Sequence, residues 1–291
     1  MRVDRSIRTW RPRDLALLCG ALVLGGWYHR QAFLDIVAIG LRDAEQSHVF
    51  LAPIVAVWLL WLRRSRFVFI RHQPSWYGPA IVAGATLLSW WGFARGVQVA
   101  WHGGAVLAML GLVISMTGLT AMRVMLPVVA VLVFLLPVPG ELRHRVALPL
   151  QGMATTVTHA MLELFGVSAV KSGNVLVING EQVAVGEACN GMRMVFALTL
   201  VVYAFVFGTP LKASMRLLLI SLSPLIALAC NVVRLVPTSL LYGYTTIERA
   251  QAFHDIAGWV MLPVALAALG LVLRTMRWLE FPVVRFRLVN P

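Results

Sequence analysis

The stretch VGEACNGMRM, residues 185–194, places a carboxylate, a thiol and a guanidinium within seven positions. Glu187, Cys189 and Arg193 stand at the start of an apolar run that is predicted to be helical. Unsatisfied N–H groups at a helix N-terminus, and a cation one turn further on, lower the pKa of a thiol, and the thiolate is its nucleophilic form. Cys189 is therefore a candidate nucleophile.

Two further polar residues occur near the ends of later apolar runs: Arg234 in NVVRLVPT and His254 in FHDIAGW. An arginine stays protonated near pH 7, whereas a histidine, with an ordinary pKa of about 6.5, can exchange a proton. Together with Cys189 they could supply a nucleophile, an oxyanion stabiliser and a general base. This is the residue set of a cysteine acyl-transfer site.

Each of these residues also has a structural interpretation, because free cysteines are common in apolar cores and arginines extend to the interface from helix ends. Cys19 and Cys230 stand among leucine, alanine and isoleucine, and we expect both to be small apolar residues. Cys189, Arg234 and His254 are predicted at one membrane face, beside a glutamate and a second arginine. That combination favours a function.

The roles of the surrounding polar residues stay open at this stage. His48, at the outer edge of a predicted span, could line the site, although an interface histidine is more often structural. Arg193 could pair with Glu187, orient a substrate carboxylate or assist Arg234. No second cysteine or histidine stands at metal-ligand spacing, so neither a metal nor another cofactor is expected.

The composition bounds the class of protein. Of 291 residues, 59% are hydrophobic and 13% charged, and the mean hydropathy is +0.81. A soluble domain needs more charged surface, so the chain is predicted to be an integral membrane protein. The net charge of +13 comes from basic residues clustered between apolar runs, a pattern of membrane topology rather than of nucleic-acid binding.

Eight spans are predicted from runs near the length that crosses a bilayer. The arginine-rich N-terminus precedes an apolar run without a small-residue cleavage site, so we expect an uncleaved first span. When the loops are assigned alternately to the two sides of the membrane, most of the 25 lysines and arginines lie on the same side as the N-terminus. The positive-inside rule then places both termini in the cytoplasm. The spans are Asp14–Tyr28, His48–Leu62, Tyr77–Phe93, Val99–Gly118, Met125–Pro137, Asn190–Phe207, Leu217–Pro237 and Ile256–Leu273.

The segment 138–188 is predicted to be the sizeable outer region. Val146–Phe165 has the pattern of an amphipathic helix, and NVLVINGEQVAV has two β-rich runs joined by Asn179 and Gly180, a strong hairpin pattern. The predicted fold is an all-α polytopic bundle of about eight helices with this small outer hairpin and helix, forming one domain over residues 1–291.

A transporter or lipid flippase is the alternative from another functional class. Such a protein would carry charged residues or glycine and proline breaks near the bilayer midplane, in paired halves. The charges of this chain stand at span edges instead, which favours the enzyme.

Three motifs carry a family resemblance. EACNGMR resembles the EACSGxR element of exosortases, NVVRL resembles their N-x-x-R element, and FHDIAGW resembles their H-D-x-x-G-W element, in the same order and spacing. The likeness extends upstream through SHVFLAPIVAVWLLWLRR and LPVPGELRHRVALPLQ, so it covers about 240 residues from Ser47 onward. Asn190 stands where the family usually has serine.

The resemblance implies a multi-pass cysteine transpeptidase or protease of the exosortase and archaeosortase group. Cys189, Arg234 and His254 match its catalytic residues, and Asn231 and Asp255 lie in the same motifs as supporting candidates. The implied partners are exported proteins whose C-terminal tail carries a PEP-CTERM-like motif, an apolar span and a basic end. The implied location is a bacterial inner membrane, with the site facing the periplasm.

The topology can be tested with reporter fusions after residues 70, 140, 213 and 291. Because basic loops stay inside, we expect cytoplasmic signals at 70, 213 and 291 and an external signal at 140. An external C-terminus would contradict both the topology and the outer position of the candidate site.

Overall fold

The computed structural model describes residues 12–67, 75–184 and 191–279. Residues Met1–Pro139 and Gly140–Pro291 form two compact units. The described helices are α1 Pro12–Tyr28, α2 Arg30–Arg42, α3 His48–Leu62, α4 Arg64–Phe67, α5 Tyr77–Arg95, α6 Gln98–Val131, α7 Gly140–Leu164, α8 Met192–Gly208, α9 Ala213–Tyr244 and α10 Ile247–Trp278, and the strands are β1 Ala169–Ser172, β2 Val175–Ile178 and β3 Glu181–Ala184.

The first unit is organised around the close pairing of α5 with α6. A Cβ at Gly104 would lie 2.5 Å from the backbone nitrogen of Ser89, so only glycine permits this approach. Ser89 also donates a hydrogen bond of 2.9 Å to the carbonyl oxygen of Trp101. Small residues at such contacts let helix backbones pack closely in membrane proteins.

A break in α6 coincides with a predicted span boundary. Gly118 has φ 71° and ψ 171°, which is not helical, and the helix continues on both sides of it. The fourth predicted span ends at this residue. Glycine tolerates positive φ without a steric penalty, which explains why the apolar run turns here.

The structure supports an all-helical multi-pass membrane protein, while the count of eight spans stays a prediction. Helices occupy the eight predicted positions, but by length and composition only three described helices can cross a membrane, or four if Val124–Leu135 and Gly140–Leu164 form one broken span. His48–Leu62 and Met192–Gly208 are apolar but shorter. Two described helices, α2 and the four-residue α4, were not predicted. The apolar residues of α2 are interrupted by polar ones.

The second unit contains a three-helix core of α8, α9 and α10. Leu198 and Val202 from α8, Leu219 from α9, and Ala265 and Leu269 from α10 are buried in one cluster. Cys230 is buried in the same cluster, as expected of a small apolar residue. The three helices that follow or carry the sequence motifs therefore pack directly on one another.

A three-stranded antiparallel sheet, in the order β1-β2-β3, completes this unit. The predicted hairpin is confirmed: Ile178 pairs with Glu181, and Asn179 and Gly180 between them have φ 53° and 84°. Strand β1 is an addition to the prediction. Buried side chains of β2 pack with residues of α7 and α9, and the predicted amphipathic helix corresponds to α7, which begins earlier, at Gly140.

Candidate functional site

The candidate nucleophile segment lies between β3 and α8. Residues 185–190, with Glu187, Cys189 and Asn190, are outside the described part of the chain, so the site is characterised from its neighbours. Gly191 precedes α8 with φ 80°. A Cβ at Gly191 would lie 3.1 Å from Cγ of Asn231 on α9. The described residue nearest to Cys189 in the chain therefore packs against the first residue of the NVVRL motif.

The two polar residues of that motif are joined on α9. Nη2 of Arg234 donates a hydrogen bond of 2.9 Å to Oδ1 of Asn231, and Asn231 is only 1% exposed. Residues three apart lie on one face of a helix, which makes this contact possible. The amide thereby orients the half-buried guanidinium.

The third motif meets the same guanidinium from α10. The position that a Cβ would take at Gly258 lies 3.4 Å from Nη1 of Arg234. His254 stands one helical turn before Gly258 and is half-buried. Asp255 follows His254 directly in the sequence. Arg234 thus lies between the start of α8 and the histidine-bearing face of α10.

The remaining candidates are distributed less tightly. Arg193 is exposed on the first turn of α8, and Asp255 is exposed beside His254. His48 belongs to the first unit, where it is buried and its Nδ1 lies 3.3 Å from the carbonyl oxygen of Glu45. That contact gives His48 a structural partner within its own unit.

Sequence reasoning missed a second connection between α9 and its neighbours. The hydroxyl of Tyr242 donates a hydrogen bond of 2.7 Å to Oε1 of Gln251 on α10. At the next residue of α9, the carbonyl oxygen of Gly243 accepts a hydrogen bond of 3.2 Å from the side-chain amide of Asn179. The end of α9 therefore contacts both α10 and the turn of the hairpin that precedes the Cys189 segment. These contacts could not be predicted from the sequence, because the residues that make them belong to no recognised motif.

Metal chemistry has no obvious site in the described part of the chain. Among residues 12–67, 75–184 and 191–279, no group of three or more His, Cys, Asp or Glu side chains is placed to hold an ion. Of the cysteines within these ranges, Cys19 is exposed and Cys230 is buried. The chemistry open to the described residues is that of a guanidinium, an imidazole and their amide and carboxylate neighbours.

Comparisons with known proteins point to one family. The family model for transmembrane exosortases matches residues 40–271, well over half of the chain. The match includes all three motif segments. Searches of curated proteins and of solved structures found no significant match.

The contact at Gly243 generates a stability prediction. A Cβ at this position would lie 2.5 Å from Cγ2 and 2.8 Å from Cβ of Ile178. Gly243→Ala should therefore displace the hairpin turn at a cost of about 1–3 kcal/mol, the usual cost of overpacking, which cancels or exceeds the gain in helix propensity of about 1 kcal/mol. Thermal unfolding of the full chain in detergent measures the change.

Gly270→Ala is the matched control, because α10 offers open space within 4 Å of that position. It should leave the unfolding temperature unchanged or raise it slightly, through propensity alone. Equal unfolding temperatures for the two variants would contradict a tight contact between Gly243 and Ile178.

Proposed function

The chain belongs to the transmembrane exosortase family, and on that basis we propose that it is a membrane-embedded cysteine peptidase or transpeptidase. The family consists of transmembrane enzymes of protein sorting. The proposed reaction cleaves a C-terminal sorting signal of an exported protein through a thioester with Cys189. The family assignment also favours this enzyme over the transporter alternative.

The observation that carries the proposal is the position of Arg234. Its guanidinium is held by Asn231, which packs against Gly191, two residues after Cys189 in the sequence. The same guanidinium contacts the α10 face at Gly258, one turn from His254. A fixed cation between the segments of a nucleophile and a base suits an acyl-transfer site, because negative charge develops on the substrate carbonyl oxygen between those groups.

In the first half of the proposed reaction, the imidazole of His254 takes the proton of the Cys189 thiol. The sulfur then attacks the carbonyl carbon of the scissile peptide, and the carbonyl oxygen becomes an oxyanion that Arg234 stabilises. When the tetrahedral intermediate collapses, the C–N bond breaks and the imidazolium gives its proton to the leaving amine. The product is a thioester between Cys189 and the substrate.

In the second half, an acceptor resolves the thioester. Attack by water returns the free carboxyl terminus, whereas attack by an amine forms a new amide. In both cases His254 accepts the proton of the nucleophile and returns it to the Cys189 sulfur as the C–S bond breaks. Hydrolysis and transpeptidation therefore use the same residues and differ only in the acceptor.

The supporting residues receive distinct roles in this proposal. Asn231 fixes the orientation of Arg234, and Asp255 stabilises the positive charge that His254 carries after it takes a proton. Arg193 and Glu187 flank Cys189 in the sequence and contact the substrate tail. His48 lies in the other unit, where its contact with the carbonyl oxygen of Glu45 gives it a structural role.

The proposed substrates are exported proteins with a PEP-CTERM-like motif, an apolar span and a basic tail. The span would anchor the scissile bond at the depth of the outer interface, and the basic tail would remain in the cytoplasm under the positive-inside rule. The proposed location is the inner membrane of a bacterium, with the site toward the periplasm.

Processing by cysteine variants tests the nucleophile. Cys189→Ala should abolish cleavage of a tail-bearing protein because no thioester can form, while Cys19→Ala and Cys230→Ala should retain it. Mass spectrometry of the tail-bearing protein in cells expressing each variant provides the measurement. Retained cleavage in Cys189→Ala, together with loss in Cys230→Ala, would reverse the assignment.

Substitution of Arg234 separates charge from geometry. Arg234→Lys keeps the positive charge but loses the guanidinium nitrogen that donates to Asn231 and the planar geometry of the group, so the cation is no longer fixed. We expect turnover to fall by roughly 100- to 1,000-fold, the usual loss for one preorganised oxyanion donor. Single-turnover cleavage of a tail peptide by purified protein measures it. Wild-type turnover in Arg234→Lys would contradict a role that depends on the geometry of the guanidinium.

Alkylation of the thiol tests His254 as the base. In His254→Ala, Cys189 should react with a thiol reagent more slowly at neutral pH, because less thiolate forms. The difference from wild type should shrink above the ordinary pKa of a free thiol, about 8.5. A background of Cys19→Ala and Cys230→Ala restricts the reaction to one site. Identical rates across this pH range would leave His254 a structural or substrate-binding residue.

A further inference from the structure

Helix α7 has an exposed apolar face that the fold of the second unit leaves uncovered. At 100° per residue, five large apolar side chains fall within about 60° of its circumference. All are between 43% and 76% exposed. We call them the α7 apolar stripe: Leu142, Val146, Met153, Val157 and Leu164.

The rest of the helix surface divides into two further faces. The buried face carries Ala147, Ala154 and Leu162, and Ala154 and Leu162 pack in a cluster with the sheet and α9. Between the buried face and the stripe, polar side chains form an edge toward both ends of the helix, and Gly152 and the exposed Leu148 interrupt this edge in the middle. We call it the α7 polar edge: Glu141, Arg145, Thr156, His159 and Glu163.

The sheet limits how deeply α7 can lie in a membrane. In the described residues, β1 and β3 each pair with β2 alone, so the outer edge of each strand needs other hydrogen-bonding partners. Exposed Lys171 and Glu181 belong to these two strands, and open sheet edges do not occur in hydrocarbon. Because the sheet packs on the buried face of α7, that face of the helix has to point toward the aqueous side of the membrane, where water can bond to the sheet edges.

A membrane-spanning orientation of α7 conflicts with its contacts to β1. The hydroxyl of Thr156 accepts a hydrogen bond of 2.6 Å from Nζ of Lys171, and Nε2 of His159 lies 2.8 Å from the carbonyl oxygen of Ala169. A spanning α7 would therefore carry β1 and its charged side chain into the hydrocarbon, where charges are costly. An orientation parallel to the membrane surface keeps the whole edge in water.

We propose that α7 lies in the plane of the membrane interface, with the apolar stripe among the lipid acyl chains and the polar edge toward water. The partner is the phospholipid surface itself. The exposed Arg145, near the start of the helix, carries a positive charge that complements the negative charge of lipid phosphates. Helices with this division of faces lie about 5–10 Å into the boundary between headgroups and acyl chains. The proposal does not depend on the chemistry at Cys189.

Spin labels at neighbouring positions test the orientation. Single cysteines are introduced into the full chain after Cys19, Cys189 and Cys230 have been replaced. They are placed on the stripe at Val146, Met153, Val157 and Leu164, and on the preceding residues Arg145, Thr156 and Glu163. The labelled protein is reconstituted into vesicles of phosphatidylethanolamine and phosphatidylglycerol. Collision rates with oxygen and with a water-soluble nickel chelate give the depth of each label.

In the proposed orientation, the four stripe labels show one common depth and greater access to oxygen, while their neighbours show greater access to nickel. A depth that changes steadily from Val146 to Leu164 would overturn the proposal in favour of a spanning helix. Exclusion of both reagents from the stripe would overturn it in favour of a protein partner, and nickel access at every position in favour of a fully aqueous helix. If one labelled variant fails to fold, the remaining positions still define the depth profile.

Discussion

The hydrogen bond from Arg234 to Asn231 is the contact on which the candidate site depends. A buried amide or guanidinium without partners costs about 1–3 kcal/mol or more, so the pair stabilises itself only while both groups remain oriented. Gly191 packs against the amide and Gly258 lies beside the guanidinium. Gly191 therefore lets the start of α8 approach the pair closely, since a Cβ there would lie 3.1 Å from Asn231 at a φ of 80° that other residues rarely adopt, while the α10 face at Gly258 lies at ordinary contact distance from Arg234.

The register of α9 against α10 is fixed at two levels. Arg234 lies beside Gly258, and Tyr242 bonds to Gln251. From the first pair to the second, the residue number rises along α9 and falls along α10, so the two helices are antiparallel. A slide of one helix along the other would break both contacts together. The same end of α9 contacts the hairpin turn through Gly243, which links the register of the helices to the strand that precedes the Cys189 segment.

Much of this arrangement could be predicted where the physical cause is local. Asn179 and Gly180 accept positive φ more readily than most residues, so the hairpin followed from two residues, and the predicted end of the fourth span coincides with the break at Gly118. The contact between Tyr242 and Gln251 could not be foreseen, because either residue alone has an equally good partner in water. The span count also depends on the tertiary environment, since a short apolar run is compatible with a buried helix as well as with a membrane span.

The order of elements along the chain gives a reason for placing acyl-transfer chemistry at this point. Seven residues, 185–191, connect β3, which among the described residues pairs with β2 alone, to α8, which packs against α9 and α10. A thiolate and an oxyanion are poorly tolerated in hydrocarbon, whereas an apolar substrate span is poorly tolerated in water. If the sheet lies in water, as the proposed interfacial α7 requires, a connection between it and the apolar helix bundle satisfies both requirements. An interfacial α7 would hold the sheet at that boundary, because α7 and β2 share one buried cluster.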